Sequence, residues 1–357
     1  MVICRTPYRI SFFGGGTDYP AWYHKHGGAV VATTIDKYSY LTCRYLPAFF
    51  GNIFRVVYSK IETCQTIDEI EHPAVRAVLR YLGIDRGVEI HHEGDLPARS
   101  GMGTSSSFTV GLLHALHALK GHMPSKQQLA QEGIYIEQEI LKETVGSQDQ
   151  VLAACGGFSH ITFLPNGAFS VRPITLAPER MRELNSHLML FYTGIKRTAS
   201  TIAESYVNDI EGRRRQLRIM KDLIEESLSI LNDGQNIKGF GELMHESWQA
   251  KRSLSSKVSN SYVDEVYEEA ISAGAIGGKL TGAGGGGFLL LFVPPSKQIK
   301  VQKRLNRLTY VPFRFEFSGS QIIFYDLEKD YFREEPSGKN KAVPILHEVV
   351  TQENAGL

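Results

Sequence analysis

Three glycine-rich segments, at residues 14–16, 101–103 and 277–287, lie far apart in the chain, and each adjoins a run with the spacing of regular structure. Glycines let a backbone turn sharply and come close to a ligand, so the fold must supply three tight approaches beside ordinary strands and helices. In the first segment, Arg5 to Tyr19, an apolar strand runs into Gly14, Gly15 and Gly16, and then Thr17 and Asp18, a carboxylate able to accept hydrogen bonds from sugar hydroxyls. The second, Asp95 to Ser107, sets Gly101 and Gly103 before four hydroxyl residues, Thr104, Ser105, Ser106 and Ser107. Phe108, Leu112, Leu113, Leu116 and Leu119 then predict a helix over 105–120, ended by Gly121 and Pro124. Unpaired N–H groups and the dipole at that helix start form an anion site, and a hydroxyl there can ligate magnesium. A serine N-cap alone would need fewer hydroxyls.

The third segment follows a helix predicted near 262–273 and precedes an apolar strand over 288–293. Residues 282–287 match G-x-G-x-x-G, but a dinucleotide fingerprint needs the strand before and the helix after. Leu280 after Gly278-Lys279 breaks the P-loop pattern. A bound nucleotide must therefore be held by another route.

Two carboxylates stand between these segments. A helix predicted from Ser125, capped with Gln128, to about Thr144 has Glu137 on or beside the stripe of Ile134 and Leu141. A buried carboxylate there needs a cation partner; at the stripe's edge it would reach solvent. Asp149, in the polar turn Gly146 to Gln150, can be a general base, a metal ligand or a turn former. Phosphoryl transfer needs a phosphate cradle, a metal, positive charge and a residue orienting the attacking hydroxyl. Residues 101–107, Ser105 with Glu137, Arg9 and Asp149 supply those parts in turn.

The order of elements predicts an α+β protein of two domains, over 1–180 and 181–335, with a tail over 336–357. Strands are expected at 30–46, 54–61, near 158–173 and at 188–192, and helical stretches at about 199–232 and 235–256. With 39 Lys+Arg against 38 Asp+Glu, the chain lacks the basic excess of a nucleic-acid binder. Cys4, Cys43, Cys64 and Cys155 are scattered, the pattern of free thiols in a reducing cytosol. No apolar run is long enough to span a bilayer, and a soluble cytoplasmic protein with neither membrane nor nucleic-acid partner is expected.

The three segments, in this order, resemble the three motifs of the GHMP kinases. Asp95 to Ser107 is similar to the family's P-x-x-x-G-L-G-S-S loop, Lys279 to Gly287 to its K-L-T-G-A-G-G-G-G motif, and Pro7 to Tyr19 to the galactokinase-type first motif. The resemblance implies a left-handed βαβ N-terminal domain, a ferredoxin-like C-terminal domain, and ATP with Mg2+ bound between them beside a sugar or sugar phosphate. It implies that Arg9 lies near the transferred phosphate, that Ser105 and Glu137 hold magnesium, and that Asp149 is the catalytic base. The loop residues Gly101, Gly103 and Thr104 to Ser107 would hold the nucleotide. Asp18, with Gly15, Gly16 and Thr17 and with Thr281, Gly282 and Gly284, would meet the sugar. Gly15-Gly16 replaces the Glu-His of galactokinases, which argues against galactose. The first motif is most similar to that of family members acting at C1 of D-glycero-D-manno-heptose 7-phosphate, with fucokinase-type members as neighbours. A substrate phosphate would need cations, for which Arg99, Lys196 and Arg197 are candidates. A free-sugar C1 kinase or a non-catalytic nucleotide and sugar sensor are the alternatives, and no oligomeric state is implied.

Overall fold

The computed structural model describes residues 1–46, 53–196, 199–232, 234 and 236–326. The first domain runs β1 (Val2–Phe13), α1 (Pro20–His26), β2 (Gly28–Tyr45), β3 (Phe54–Val57), β4 (Ile61–Cys64), α2 (Pro73–Tyr81), β5 (Val88–Gly94) and α3 (Thr104–Leu119). It continues through α4 (Lys126–Tyr135), α5 (Gln148–Cys155), β6 (Phe158–Phe163) and β7 (Phe169–Pro173). The second domain comprises α6 (Pro178–Ser186), β8 (Leu188–Tyr192), α7 (Ala199–Val207), α8 (Arg214–Asn232), α9 (Lys238–Arg252) and α10 (Ser261–Ala273). It then has β9 (Gly277–Leu280), β10 (Phe288–Phe292), α11 (Gln298–Arg304) and β11 (Thr309–Tyr310); two last strands, β12 (Phe315–Glu316) and β13 (Gln321–Tyr325), follow.

Among the described residues the first sheet has nine strands, in the path β13-β1-β2-β5-β3-β4, with β6 and β12 also on β2 and β7 on β6. The long strands β1 and β2 pair antiparallel from Val2↔Cys43 to Phe13↔Val31 and carry the domain. Their inward residues, such as Cys4, Val30 and Leu41, pack under α2, α3 and α5 in one apolar core with Val75, Leu112, Leu116 and Leu152. The second sheet is antiparallel, in the order β11-β8-β10-β9. Every residue of Phe288–Phe292 is buried, so the strand reads as an unbroken apolar run, the pattern of a strand covered on both faces. Phe191, Leu289 and Leu291 face α10 and Trp248. Leu190, Leu290 and Phe292 face Phe240 and Met244 together with Phe12 and Phe13 of β1, so one apolar core joins the two domains.

The α+β architecture of two domains stands as the sequence suggests, with local differences. The run expected at 54–61 is the hairpin of β3 and β4. The helix expected to reach Thr144 ends earlier: α4 passes into a π turn at Ile136–Ile140, and Lys142 takes φ +55°. The stretch 199–232 breaks into α7 and α8 around a 3-10 turn at Glu211–Arg213. The division at 181–335 needs correction, because β12 pairs with β2 and β13 with the outer edge of β1. The open edge of β1 supplies unpaired N–H and C=O groups for β13. Ser320, just before β13, is hydrogen-bonded to Thr6 and His114 at 2.9 Å each. Residues 336–357, the expected tail, lie outside the described residues. Among the described residues no helix is long and apolar enough to cross a membrane.

Candidate active site

A cleft of about 900 Å³ opens between the domains and is lined by residues of all three glycine-rich segments. At its floor, β1 and α5 bring together two residues 140 positions apart. The Arg9 guanidinium donates Nε and Nη2 to the two carboxylate oxygens of Asp149, at 2.7 Å each. Its Nη1 donates to the Gly101 carbonyl at 2.7 Å, so one side chain clamps the catalytic candidate and the second segment. The Arg9 side chain is 6% exposed and that of Asp149 23%, which leaves the carboxylate reachable from the cleft. Gly103, at φ +72°, is the close approach that permits this: a Cβ there would lie 3.1 Å from Arg9 Cγ and 3.4 Å from Asp149 Oδ2.

The first glycine turn builds the neighbouring wall. Asp18 is buried and accepts from the Gly16 N–H at 2.8 Å and from Gln148 Nε2 at 2.9 Å. Burial, and then the Asp149 charge, raises its pKa. Gly146 is required opposite, since a Cβ there would lie 1.9 Å from Asp18 Oδ2. Gly15 and Gly16 line the cleft. Thr17 does not. It is wholly buried, and its hydroxyl donates to the Gly14 and Ala29 carbonyls at 2.8 Å each. It is a lock on the turn, because its one hydroxyl proton is shared between the two carbonyls while its oxygen accepts from the Ala29 N–H at 3.1 Å.

The second segment ends in Gly103 as the left-handed N-cap of α3, with no side chain capping the helix. The first amide groups of α3 therefore keep the anion-binding capacity of an uncapped helix start. Gly101, Gly103, Thr104, Ser105 and Ser106 line the cleft. Ser107 faces the opposite way and donates to the Pro7 carbonyl at 2.8 Å. Of Ser105 and its neighbour Ser106, it is the neighbour that touches Glu137. Ser106 Oγ donates to Glu137 Oε2 at 2.8 Å, while Ser105 is exposed. One residue along a helix is a turn of roughly 100°, enough to swing a side chain off the α4 face.

Glu137 has no cation partner among the described residues. Ser106 and Gln150 both donate to its Oε2, and Oε1 is buried without a hydrogen bond. Burial, helped by the Glu143 charge, pushes its pKa up to about 7. An orphan carboxylate oxygen beside a serine hydroxyl at a helix start is a donor set of hard oxygens, which suits Mg2+. The residues present therefore fit that ion: Glu137 and Ser106 lie together, and Ser105, one residue before, also lines the cleft.

In the third segment Gly282 and Lys279 line the cleft, whereas Thr281 and Gly284 do not. Thr281 is buried and donates to the Phe288 carbonyl at 3.3 Å. Gly284 packs on Val258, whose carbonyl would be 2.6 Å from a Cβ. Both serve the β9-β10 turn, which must stay small to admit close packing. Sequence reasoning passed over Lys279 and Lys251, although Lys279 stands inside the motif. Lys279 is 2% exposed and donates to the Phe12 carbonyl at 2.8 Å. Lys251 of α9 is 5% exposed and donates to the Gly282 carbonyl. Lys196 and Arg99 line the cleft mouth; Arg197 lies outside the described residues. At the far end, Tyr58, His72, His92 and Phe108 form an aromatic wall, with His72 stacked on Phe108 at 4.8 Å. Burial holds His92 down to about 4, so it is neutral near pH 7.

Comparison with known proteins adds to this geometry. Residues 69–157 match the family described as GHMP kinases N terminal domain, and residues 219–311 match GHMP kinases C terminal. The chain is 28% identical over 331 residues to a D-glycero-alpha-D-manno-heptose 7-phosphate kinase of Campylobacter jejuni, covering 85% of this chain and 92% of that protein. It is 26% identical to an L-fucokinase/L-fucose-1-P guanylyltransferase of Bacteroides fragilis, over 89% of this chain but 38% of that one. A solved structure described as a D-glycero-D-manno-heptose 1-phosphate kinase from Bacteroides thetaiotaomicron shares the fold, with TM-score 0.74, 23% identity, and coverage of 90% and 98%.

Proposed function

The chain belongs to the GHMP kinase family and is a phosphotransferase using ATP, and we propose that it phosphorylates the C1 hydroxyl of D-glycero-D-manno-heptose 7-phosphate. The observation that carries this reading is the Arg9–Asp149 pair, 2.7 Å apart twice over, set in one cleft with an uncapped helix start. In the proposed complex the triphosphate lies along residues 101–106 and its base against the aromatic wall of Tyr58, His72 and Phe108. The sugar lies against Asp18, Gly15 and Gly16. Ser106 and Glu137 would hold Mg2+. That ion, when bound, neutralises charge on the phosphates and fixes their orientation.

The protein's own groups then have distinct tasks. Asp149 accepts a hydrogen bond from the attacking hydroxyl and takes up its proton, or turns its lone pair toward phosphorus. Arg9 keeps Asp149 aimed and offers positive charge to the transferred group. Lys196 at the mouth meets the sugar's own phosphate. The heptose reading draws on the Campylobacter relative, at 28% identity. The relatives' names differ in which phosphate the heptose carries. A free-sugar C1 kinase is the second reading, favoured by the fucokinase relative's match to 89% of this chain. A cytoplasmic site of action is part of the proposal.

The test is ADP release from ATP and magnesium with heptose 7-phosphate, fucose, galactose and mannose, with the product's phosphorylated carbon read by 31P NMR. Turnover of heptose 7-phosphate at C1 supports the first reading. Turnover of fucose alone supports the second, and ATP binding without ADP from any sugar supports a sensor. Lys196→Ala is expected to raise KM for the phosphorylated sugar well above its effect on ATP; equal effects would remove Lys196 from that role.

A further inference from the structure

Lys279 is an unusual occupant of an inter-domain cleft. It is on the wall yet 2% exposed, and its ammonium has one hydrogen bond, to the neutral Phe12 carbonyl at 2.8 Å. No carboxylate of the described residues lies within ion-pair distance. Of the ionisable groups that line the cleft, Arg9 on β1 and Asp18 on the glycine turn act on Lys279 by charge, and Asp149 on α5 and Lys251 on α9 line the same cleft. Asp149 is held by Arg9 in a paired salt bridge; Asp18 accepts from the neutral donors Gly16 and Gln148, and its charge reaches Lys279 only from beyond ion-pair distance. A buried cation with no carboxylate in contact is costly. It persists where a ligand brings the missing charge or where the amine gives up its proton.

Resting on the kinase reading above, we propose that Lys279 is a second catalytic cation, opposite Arg9, that meets the transferred phosphate and becomes fully protonated only when that anion arrives. The topology supports the position. Lys279 lies in β9, reaches across the domain boundary to the Phe12 carbonyl at the end of β1, and shares the cleft wall with Arg9 and Asp18, whose charges both act on it. Burial and the Arg9 charge hold its pKa down to about 7. The empty site is therefore largely uncharged at pH 8, and an entering phosphate recruits a proton from solvent. No bond is made or broken in this step: one proton passes from buffer to the amine. The ammonium then donates to the non-bridging oxygens, where charge is carried in the transfer.

Calorimetric titration with the analogue AMPPNP and magnesium at pH 8, in buffers of differing ionisation enthalpy, counts protons taken up on binding. The wild-type protein is expected to take up clearly more than Lys279→Met, which has no amine, and Lys279→Arg, which is always charged. Melting curves of both variants establish that they fold. In turnover, Lys279→Met is expected to lower kcat far more than it raises KM for ATP, with Lys279→Arg recovering part of the loss. Equal proton uptake in all three proteins overturns the assignment of Lys279 alone. A wild-type protein that binds no AMPPNP overturns the kinase reading beneath it.

Discussion

Glu137→Gln gives a sharp test of how the site is charged. The carboxyl is wholly buried, and its pKa is raised from an ordinary 4.5 to about 7. Each pKa unit is worth 1.36 kcal/mol, so ionised Glu137 costs the folded state about 3 kcal/mol. Below pH 4.5 the group is protonated whether folded or unfolded and has no effect. As pH rises above 4.5 the unfolded chain ionises first, and folding stability falls until about pH 7, beyond which the penalty is constant. Glutamine removes that term while its amide oxygen keeps Ser106 and Gln150 as donors and its NH2 takes the orphan Oε1 position. Metal-free Glu137→Gln is therefore expected to be the more stable protein at pH 8, by up to about 3 kcal/mol, and to match wild type near pH 4. Denaturant unfolding at half-unit pH intervals measures the gap. A variant no more stable at pH 8, or a gap that does not change between pH 4 and 7, refutes the reasoning. Magnesium with nucleotide should narrow the gap, because the wild-type carboxylate then has a cation.

Three further outcomes follow from the same geometry. Asp149→Asn sets an NH2 against one Arg9 donor; turnover should fall about 10²–10⁴-fold in single-turnover assays with nucleotide affinity nearly unchanged, and near-normal turnover removes Asp149 from its role. Gly146→Ala drives a Cβ to 1.9 Å from Asp18 Oδ2 and should cost about 1–3 kcal/mol in denaturant unfolding, with KM for the sugar rising more than KM for ATP. Arg9→Lys keeps the charge but cannot make the paired contacts to Asp149 and the bond to the Gly101 carbonyl together; turnover should drop while the fold, checked by melting, is retained.

Local chemistry was the legible part of this chain. The hydroxyl run after Gly103 and the apolar spacing beyond it matched α3 to within a residue, and the all-apolar runs marked β8 and β10. Glycines revealed where the backbone bends but not which of them face a ligand. Gly282 reaches the cleft and Gly284 packs on Val258, a difference set by the turn's path in three dimensions. The choice between Ser105 and Ser106 depended on the angular phase of α3 against α4, which one helix's own pattern does not contain. Lys279 read as one letter of a motif, since its burial comes from β1 of the other domain. The return of β12 and β13 was hidden because short strands completing a distant edge leave little periodicity behind.

That return has a consequence for how the polypeptide is made. The edge of β1 at Val2 to Arg5 waits for Gln321 to Tyr325, so β1 leaves the ribosome long before its outer edge is covered. Translation at roughly 5–20 residues per second leaves that edge open for tens of seconds. The second domain emerges whole in the meantime, spliced into the first between β7 and β12. A nascent chain halted short of residue 321 should therefore carry an unpaired edge strand, the part of the molecule most exposed to chaperone capture or to pairing with a neighbouring chain.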